Sequence, residues 1–104
     1  MFALVVRFDI RDEKAAARFD ALTQDAVEQI TAKEPRTLVY ATHSIEGEPL
    51  SRVFYEVYAD RDAFQTHEEA EHVKAFHAAK NPLLVGAHRV ELLLPGAVKG
   101  LPVS

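Results

Sequence analysis

The 104-residue chain has no cysteine, no tryptophan and only four glycines, and each shortage removes a class of chemistry. Without cysteine there is no disulfide, no thiolate metal site and no sulfur nucleophile. The few glycines form neither a phosphate-cradling loop nor a dinucleotide fingerprint, so the sequence supplies no flavin or nicotinamide site. No apolar run approaches the ~20 residues of a membrane span, and no membrane partner is expected. Positive charge is scarce as well: 12 Lys and Arg against 16 Asp and Glu give a net charge of −4. With no basic cluster, that balance argues against nucleic acid as a partner. The opening Met1-Phe2-Ala3-Leu4-Val5-Val6-Arg7 lacks a basic lead-in and a small-residue cleavage pattern. It reads as a strand rather than a signal peptide, and a cytoplasmic protein is the expectation.

What remains is globular. A composition of 48% hydrophobic and 27% charged residues over 104 positions suits one core and one domain of modal size. Phe2, Leu4, Val6 and Phe8 alternate with positions that are mostly apolar too, the pattern of a strand covered on both faces. Asp12 is placed to cap a helix. Ala15, Phe19, Leu22, Ala26 and Ile30 then recur at spacings of three and four, while Arg18, Asp25 and Glu28 point away. Pro35 ends this helix, because the residue before a proline is driven out of helical dihedrals. Thr37 to Ser44 and Arg52 to Ala59 are rich in β-branched and aromatic residues and read as a strand pair joined by the turn residues Ile45 to Leu50. Asn81-Pro82 and Gly86 mark later boundaries, with a last strand over Ala87 to Leu94 and a Pro/Gly-containing tail.

Between those strands, residues 60–77 carry three histidines, His67, His72 and His77. The apolar periodicity breaks inside this stretch, which predicts two helices. Asp60 caps a short turn over Arg61 to Gln65, and Thr66 with Glu69 has the spacing of a capping box that opens a second helix, with His67 in its first turn. The order β-α-β-β-α-β predicts the α+β ferredoxin-like fold over residues 1–94: a four-stranded antiparallel sheet with its helices on one face. The other face carries Val39, Ala41, Val53, Tyr55 and Val57, too apolar to stay wet. Homodimerisation through that face is expected, with the tail, residues 95–104, packing on the partner subunit.

Three segments resemble one known family. Glu34-Pro35-Arg36-Thr37-Leu38-Val39-Tyr40 resembles its run into the second strand. Tyr55-Glu56-Val57-Tyr58-Ala59-Asp60, with Ala63 beyond, resembles its strand-to-helix turn. His67 followed by His72-Val73-Lys74-Ala75-Phe76 resembles its histidine-bearing helix. The family is that of the antibiotic biosynthesis monooxygenase domain, and the likeness extends to about Leu94. It implies a dimeric α+β barrel and oxygenation of quinols or polycyclic phenols without metal or organic cofactor. Arg36 stands where the family usually has glycine, which places a cation at the pocket mouth; several relatives use a cavity tryptophan that this chain lacks. Haem-degrading members of the same superfamily carry an iron-ligating histidine near the position of His77. They pair it with a tryptophan at the position of His67 and an asparagine in the first strand, where this chain has Val6-Arg7-Phe8.

Histidine exchanges protons near neutral pH, so His67 is the first candidate base. In a first helical turn the dipole would disfavour its imidazolium and leave a ring able to accept a proton, although Glu68 and Glu69 push the other way. A hydrogen-bonding surface histidine fits the same pattern. His72 is the second candidate. Counting about 100° per residue, His72 and His77 flank a buried line of Val73 and Phe76, where half-buried packing residues are also common. They lie five apart and lack a third ligand, so no metal site is expected. Glu56 sits in an apolar strand and needs a partner, either Arg7 or Arg89, a second subunit or a substrate. Tyr40, Tyr55 and Tyr58 are candidate donors to a phenolate, or simply core. The expected site therefore has His67 and His72 as catalytic groups and Arg7, Tyr40, Glu56, Tyr58, Phe64, Val73, Phe76 and His77 around a small aromatic substrate that reacts with O2. A non-catalytic dimeric ligand-binding protein is the rival reading.

Overall fold

A computed structural model describes residues 1–101. Strand β1 (Phe2–Asp9) leads into helix α1 (Glu13–Lys33). Strands β2 (Thr37–Ile45) and β3 (Glu48–Tyr58) are followed by helices α2 (Arg61–Glu69) and α3 (Glu71–Lys80), a 3-10 turn (Asn81–Leu83) and strand β4 (Arg89–Leu93). The sheet order is β2-β3-β1-β4, and every neighbouring pair is antiparallel. This is the expected ferredoxin-like arrangement, with an open sheet. Among the described residues no helix is long and apolar enough to cross a membrane.

The alternation of β1 sends Leu4, Val6 and Phe8 to the helix-covered side, where Phe54 and Tyr58 of β3 join them; all five are buried. Helix α1 begins at Asp12, whose side chain accepts from the Ala15 N–H at 2.7 Å. It buries Ala15, Phe19, Ala26 and Ile30 on the predicted face. Ring contacts knit the layers, with Phe8–Phe54 edge-on at 4.7 Å, Phe8–Phe19 tilted at 5.2 Å and Phe54–Phe76 stacked at 6.4 Å between centroids.

The connection between β2 and β3 is tighter than the sequence suggested. Ile45 pairs directly with Glu48, leaving Glu46 and Gly47 as the turn, with Gly47 at φ +82°; a two-residue hairpin needs such a residue. Pro49 is accommodated inside β3 because β1 pairs only from Ser51 onward, so its missing N–H leaves no gap in that ladder.

The helical region also differs from expectation. Asp60 caps α2 as predicted, accepting from the Ala63 N–H at 2.8 Å, but the helix runs through Thr66 to Glu69 and breaks at Ala70, which has ψ 137°. No capping box opens at Thr66. Ala63 and His67 are the buried residues of α2, one turn apart on the same face, and continuing the first helix is what buries both. Beyond β4, Leu94, Pro95, Gly96, Val98 and Leu101 help line a cavity of about 180 Å³ with Ala3, Tyr55 and Val57 on the helix-free side of the sheet. The last three tail positions, Pro102, Val103 and Ser104, lie outside the described residues.

Candidate functional site

Pro35 stops α1 one residue after Glu34, whose backbone leaves the helix at φ −123°, ψ 74° while its N–H still donates to the Ile30 carbonyl at 2.9 Å. Pro35 and Arg36 form the centre of a turn closed by the Thr37 N–H donating to the Glu34 carbonyl at 3.1 Å. Proline suits the first central position of such a turn. No non-glycine among the described residues has positive φ, so arginine at 36 fits without strain. The turn directs the Glu34 side chain inward, where it is only 9% exposed.

A buried carboxylate must be partnered, and Glu34 is partnered at both oxygens. The Thr37 hydroxyl donates to Oε1 at 2.8 Å, His67 Nδ1 lies 2.7 Å from the same oxygen, and His72 Nε2 is hydrogen-bonded to Oε2. Burial pushes the Glu34 pKa up, but the bonds from His67, Thr37 and His72 together outweigh burial and hold it below the ordinary 4.5. An ionised carboxylate only accepts. His67 must then carry its proton on Nδ1 and His72 on Nε2. In its neutral form His67 is thereby left with a lone pair on Nε2, and the other face of the ring is free to take a proton.

His67 is 2% exposed and lies near the C-terminal end of α2. The expected first-turn placement is overturned, and with it the premise of a dipole-held neutral ring, since this helix end presents carbonyls rather than free N–H groups. What orients the ring is Glu34 on one side and aromatic packing on the other: its centroid is 5.5 Å from that of Tyr40 and 5.2 Å from that of Tyr58. A cavity of about 180 Å³ opens beside it, lined by His67, Glu34, Thr37, Thr66 and Ala63, with Lys33, Pro35 and Arg36 completing the wall. Arg36 is half-exposed and ion-paired with Asp60.

Beneath His67, Tyr40 lies directly across the ladder from Glu56, and the Tyr58 hydroxyl donates to Glu56 Oε1 at 2.5 Å. Glu56 is 5% exposed. Burial raises its pKa to about 7, the Tyr58 bond opposes this, and the negative charges of Glu68 and Glu34 add to it. Tyr40 and Tyr58 are both pushed well above the ordinary phenol range, first by burial and then by the Glu56 charge, so both keep their protons. The suggested pairing of Glu56 with Arg7 or Arg89 does not form. Arg7 pairs with Val53 in the β1–β3 register, which puts it on the opposite face, where it meets Asp9, Glu48 and Ser51 at 3.0–3.2 Å.

Of the predicted site residues His67 alone lines this cavity, and the others stand apart from its wall. Phe64 packs on Phe2 and Tyr58, Val73 is buried, and Phe76 sits among Phe19 and Phe54. His77 pairs with Glu68 at 3.7 Å and stacks on His88, while its Nδ1 is buried without a hydrogen-bond partner. Among the described residues no group of three or more His, Asp or Glu side chains is arranged to hold a metal ion. Two residues escaped the sequence reading. Glu34 organises the site, and its one local signal was the proline that ends its helix. Lys80 is fully buried, with Nζ donating to Asn81 Oδ1 at 2.8 Å and lying 5.1 Å from the centre of the Phe8 ring. Burial lowers its pKa to about 8.

With this geometry in place, likenesses to other proteins take on meaning. The sequence model of the antibiotic biosynthesis monooxygenase family matches residues 1–79. A solved protein from Caulobacter crescentus, assigned as an antibiotic biosynthesis monooxygenase, is 30% identical over 94% of this chain and 90% of its own, with a TM-score of 0.85. A second solved antibiotic biosynthesis monooxygenase is 25% identical over 93% of this chain and 100% of its own, again at 0.85. A Nitrosomonas europaea protein at 18% identity, covering 91% and 98% of the two chains with a TM-score of 0.84, shares the fold. No curated protein matches the chain.

Proposed function

Because the chain belongs to the antibiotic biosynthesis monooxygenase family, we propose that it is a cofactor-independent monooxygenase that oxidises a quinol or similar phenolic aromatic with O2, using His67 as the base. The observation that carries this reading is the buried Glu34 carboxylate bound to His67 Nδ1, which leaves Nε2 as proton acceptor beside a cavity. The volume narrows the substrate. A cavity of ~150 Å³ holds benzene, so about 180 Å³ suits one ring better than the three fused rings of an anthrone.

The substrate supplies its own electrons. His67 Nε2 takes a phenolic proton, and Glu34 offsets the positive charge this creates on the ring. The phenolate passes one electron to O2, and the resulting radical pair joins at a ring carbon next to the oxygen-bearing one, forming a C–O bond to a peroxide that takes the proton from His67 and becomes a hydroperoxide. The neutral His67 then removes the proton on that carbon, and a carbonyl forms as the O–O bond breaks. The departing hydroxide takes this second proton from His67 and leaves as water. One oxygen atom enters the ring, and the sum is hydroquinone plus O2 giving hydroxyquinone plus water. The buried surroundings of His67 keep bulk solvent from the anion, and His72 holds the second Glu34 oxygen so that the carboxylate stays aligned.

The helix-free sheet face, with Val5, Val39, Ala41 and Val53 half-buried on an open sheet, supports a homodimer that closes an α+β barrel, with the tail at the interface. A stable monomer in sedimentation would contradict this part. Oxygen uptake with substituted hydroquinones tests the chemistry. Wild type should exceed autoxidation, label from 18O2 should appear in the quinone, and His67→Ala should lower kcat/KM by about 10²-fold. A Soret or flavin band in the purified protein would sink the cofactor-independent claim. No rate above autoxidation would favour a ligand-binding protein, and full activity in the variant would remove His67 from the mechanism.

A further inference from the structure

Lys33 and Arg36 flank Glu34 in sequence, and both line the cavity whose wall contains His67 and Glu34. We infer that the substrate is an acidic phenol: a single-ring dihydroxybenzene with a carboxylate, its hydroxyl at His67 and its acid group on Lys33 and Arg36. This rests on reading the cavity as the substrate site.

Charge and volume point the same way. Glu34 is buried and held ionised by its hydrogen bonds, so a substrate carboxylate entering beside it would meet like charge in a poorly solvated place. The acid group is therefore excluded from the His67 end and directed outward. There the chain offers cations. Lys33, in the last turn of α1, is exposed and has no carboxylate partner among the described residues. Arg36 commits one guanidinium nitrogen to Asp60, and a guanidinium has five N–H donors, so donors remain for a second carboxylate. In a chain of net charge −4, Lys33 and Arg36 at the rim offset the neighbouring Glu34 and Asp60 charges, which eases the approach of an anionic ligand. The room within, about 180 Å³, is close to that of one ring, which leaves a small acid substituent at the mouth. The substrate's acid then fixes which hydroxyl faces His67, which is orientation supplied by binding at a non-reacting group.

Calorimetry under nitrogen on the full-length protein separates binding from turnover. The probes are 2,5-dihydroxybenzoate, its methyl ester and hydroquinone. The acid should bind roughly fivefold tighter than the ester at low salt. That preference should shrink to about twofold or less in Lys33→Gln and return in Lys33→Arg, with the loss falling on the acid more than on the ester. It should also fade as ionic strength rises to about 1 M. Equal binding of acid and ester by wild type would overturn the acidic-phenol assignment, yet leave the oxygenase reading standing if hydroquinone is turned over. Tight acid binding that Lys33→Gln does not weaken would overturn the rim as the acid's site. Tight, Lys33-dependent acid binding with no oxygen uptake would uphold the ligand class and reject the oxygenase chemistry instead.

Discussion

Replacing Glu56 by glutamine should make the protein more stable, and only at the alkaline end of its range. The side chain is 5% exposed; among the described residues its sole side-chain hydrogen bond is from Tyr58, and no lysine or arginine pairs with it. Burial lifts its pKa from the ordinary 4.5 to about 7. The folded state therefore holds this proton over a pH range in which the unfolded chain has already lost it, so stability falls as pH rises from about 4.5 through 7. Each tenfold displacement of an ionisation is about 1.4 kcal/mol, which puts the cost of the formed charge at roughly 3 kcal/mol once the pH is well above 7. Glutamine has nearly the same volume and its carbonyl still accepts from the Tyr58 hydroxyl, but it never ionises. At pH 5, where Glu56 is largely protonated in the fold, urea unfolding should give wild type and Glu56→Gln within about 1 kcal/mol of each other. By pH 8.5 the variant should lead by about 2–3 kcal/mol. A difference that stays flat across this range, or one that moves in favour of wild type with rising pH, would refute the claim that an uncompensated carboxylate is buried there.

Other perturbations have definite signs. Glu34→Gln leaves one acceptor oxygen and introduces an N–H donor, so it cannot serve both histidines; 15N NMR should show one ring changing tautomer, and kcat/KM for oxygen uptake should fall by about 10²-fold. Lys80 is fully buried with its pKa lowered to about 8. The folded state thus pays for the charge below pH 8 and is relieved as pH rises toward 10.5, so Lys80→Met should gain roughly 3 kcal/mol in urea unfolding at pH 7 and lose that lead by pH 10.5. Asp60→Ala removes a cap that accepts from Ala63 N–H at 2.8 Å and should cost about 1 kcal/mol in thermal or urea unfolding. Thr66→Ala, in mid-helix, should stay within about 0.5 kcal/mol of wild type.

Elements whose burial follows one period along their whole length are legible in the amino-acid sequence. Helix α1 has its apolar face at Ala15, Phe19, Ala26 and Ile30, a capping Asp12 and a terminating Pro35, and three independent signals agree. In α2 two local signals compete. Thr66 and Glu69 imitate a helix start, but Ala63 and His67 lie one turn apart and both bury. Tertiary burial over Tyr58 outweighs a surface capping option of about 1 kcal/mol. Strand alternation puts Glu56 on the same side as Phe54 and Tyr58. Applied across the β1–β3 register, Arg7↔Val53 and Leu4↔Glu56, the same alternation also forbids the Arg7 pairing, but that register is a long-range fact.

Glu34 was beyond sequence reasoning for the same cause, since its partners lie 33 and 38 residues away and a glutamate before a proline at a helix end looks like solvated surface. Its place in the fold changes what the proposed base depends on. A ring held neutral by a helix dipole would owe its state to backbone carbonyls and N–H groups that no side-chain substitution removes. The ring found here owes its tautomer to a single carboxylate, and that carboxylate has a second histidine on its other oxygen. His67 and His72 are therefore not alternative bases that could each act alone. They are two ends of one hydrogen-bonded unit in which the His72 side chain is 14% exposed and the His67 side chain 3%. The solvent-reachable end constrains the carboxylate, the carboxylate constrains the buried ring, and a change made at His72 must be felt at His67 Nε2.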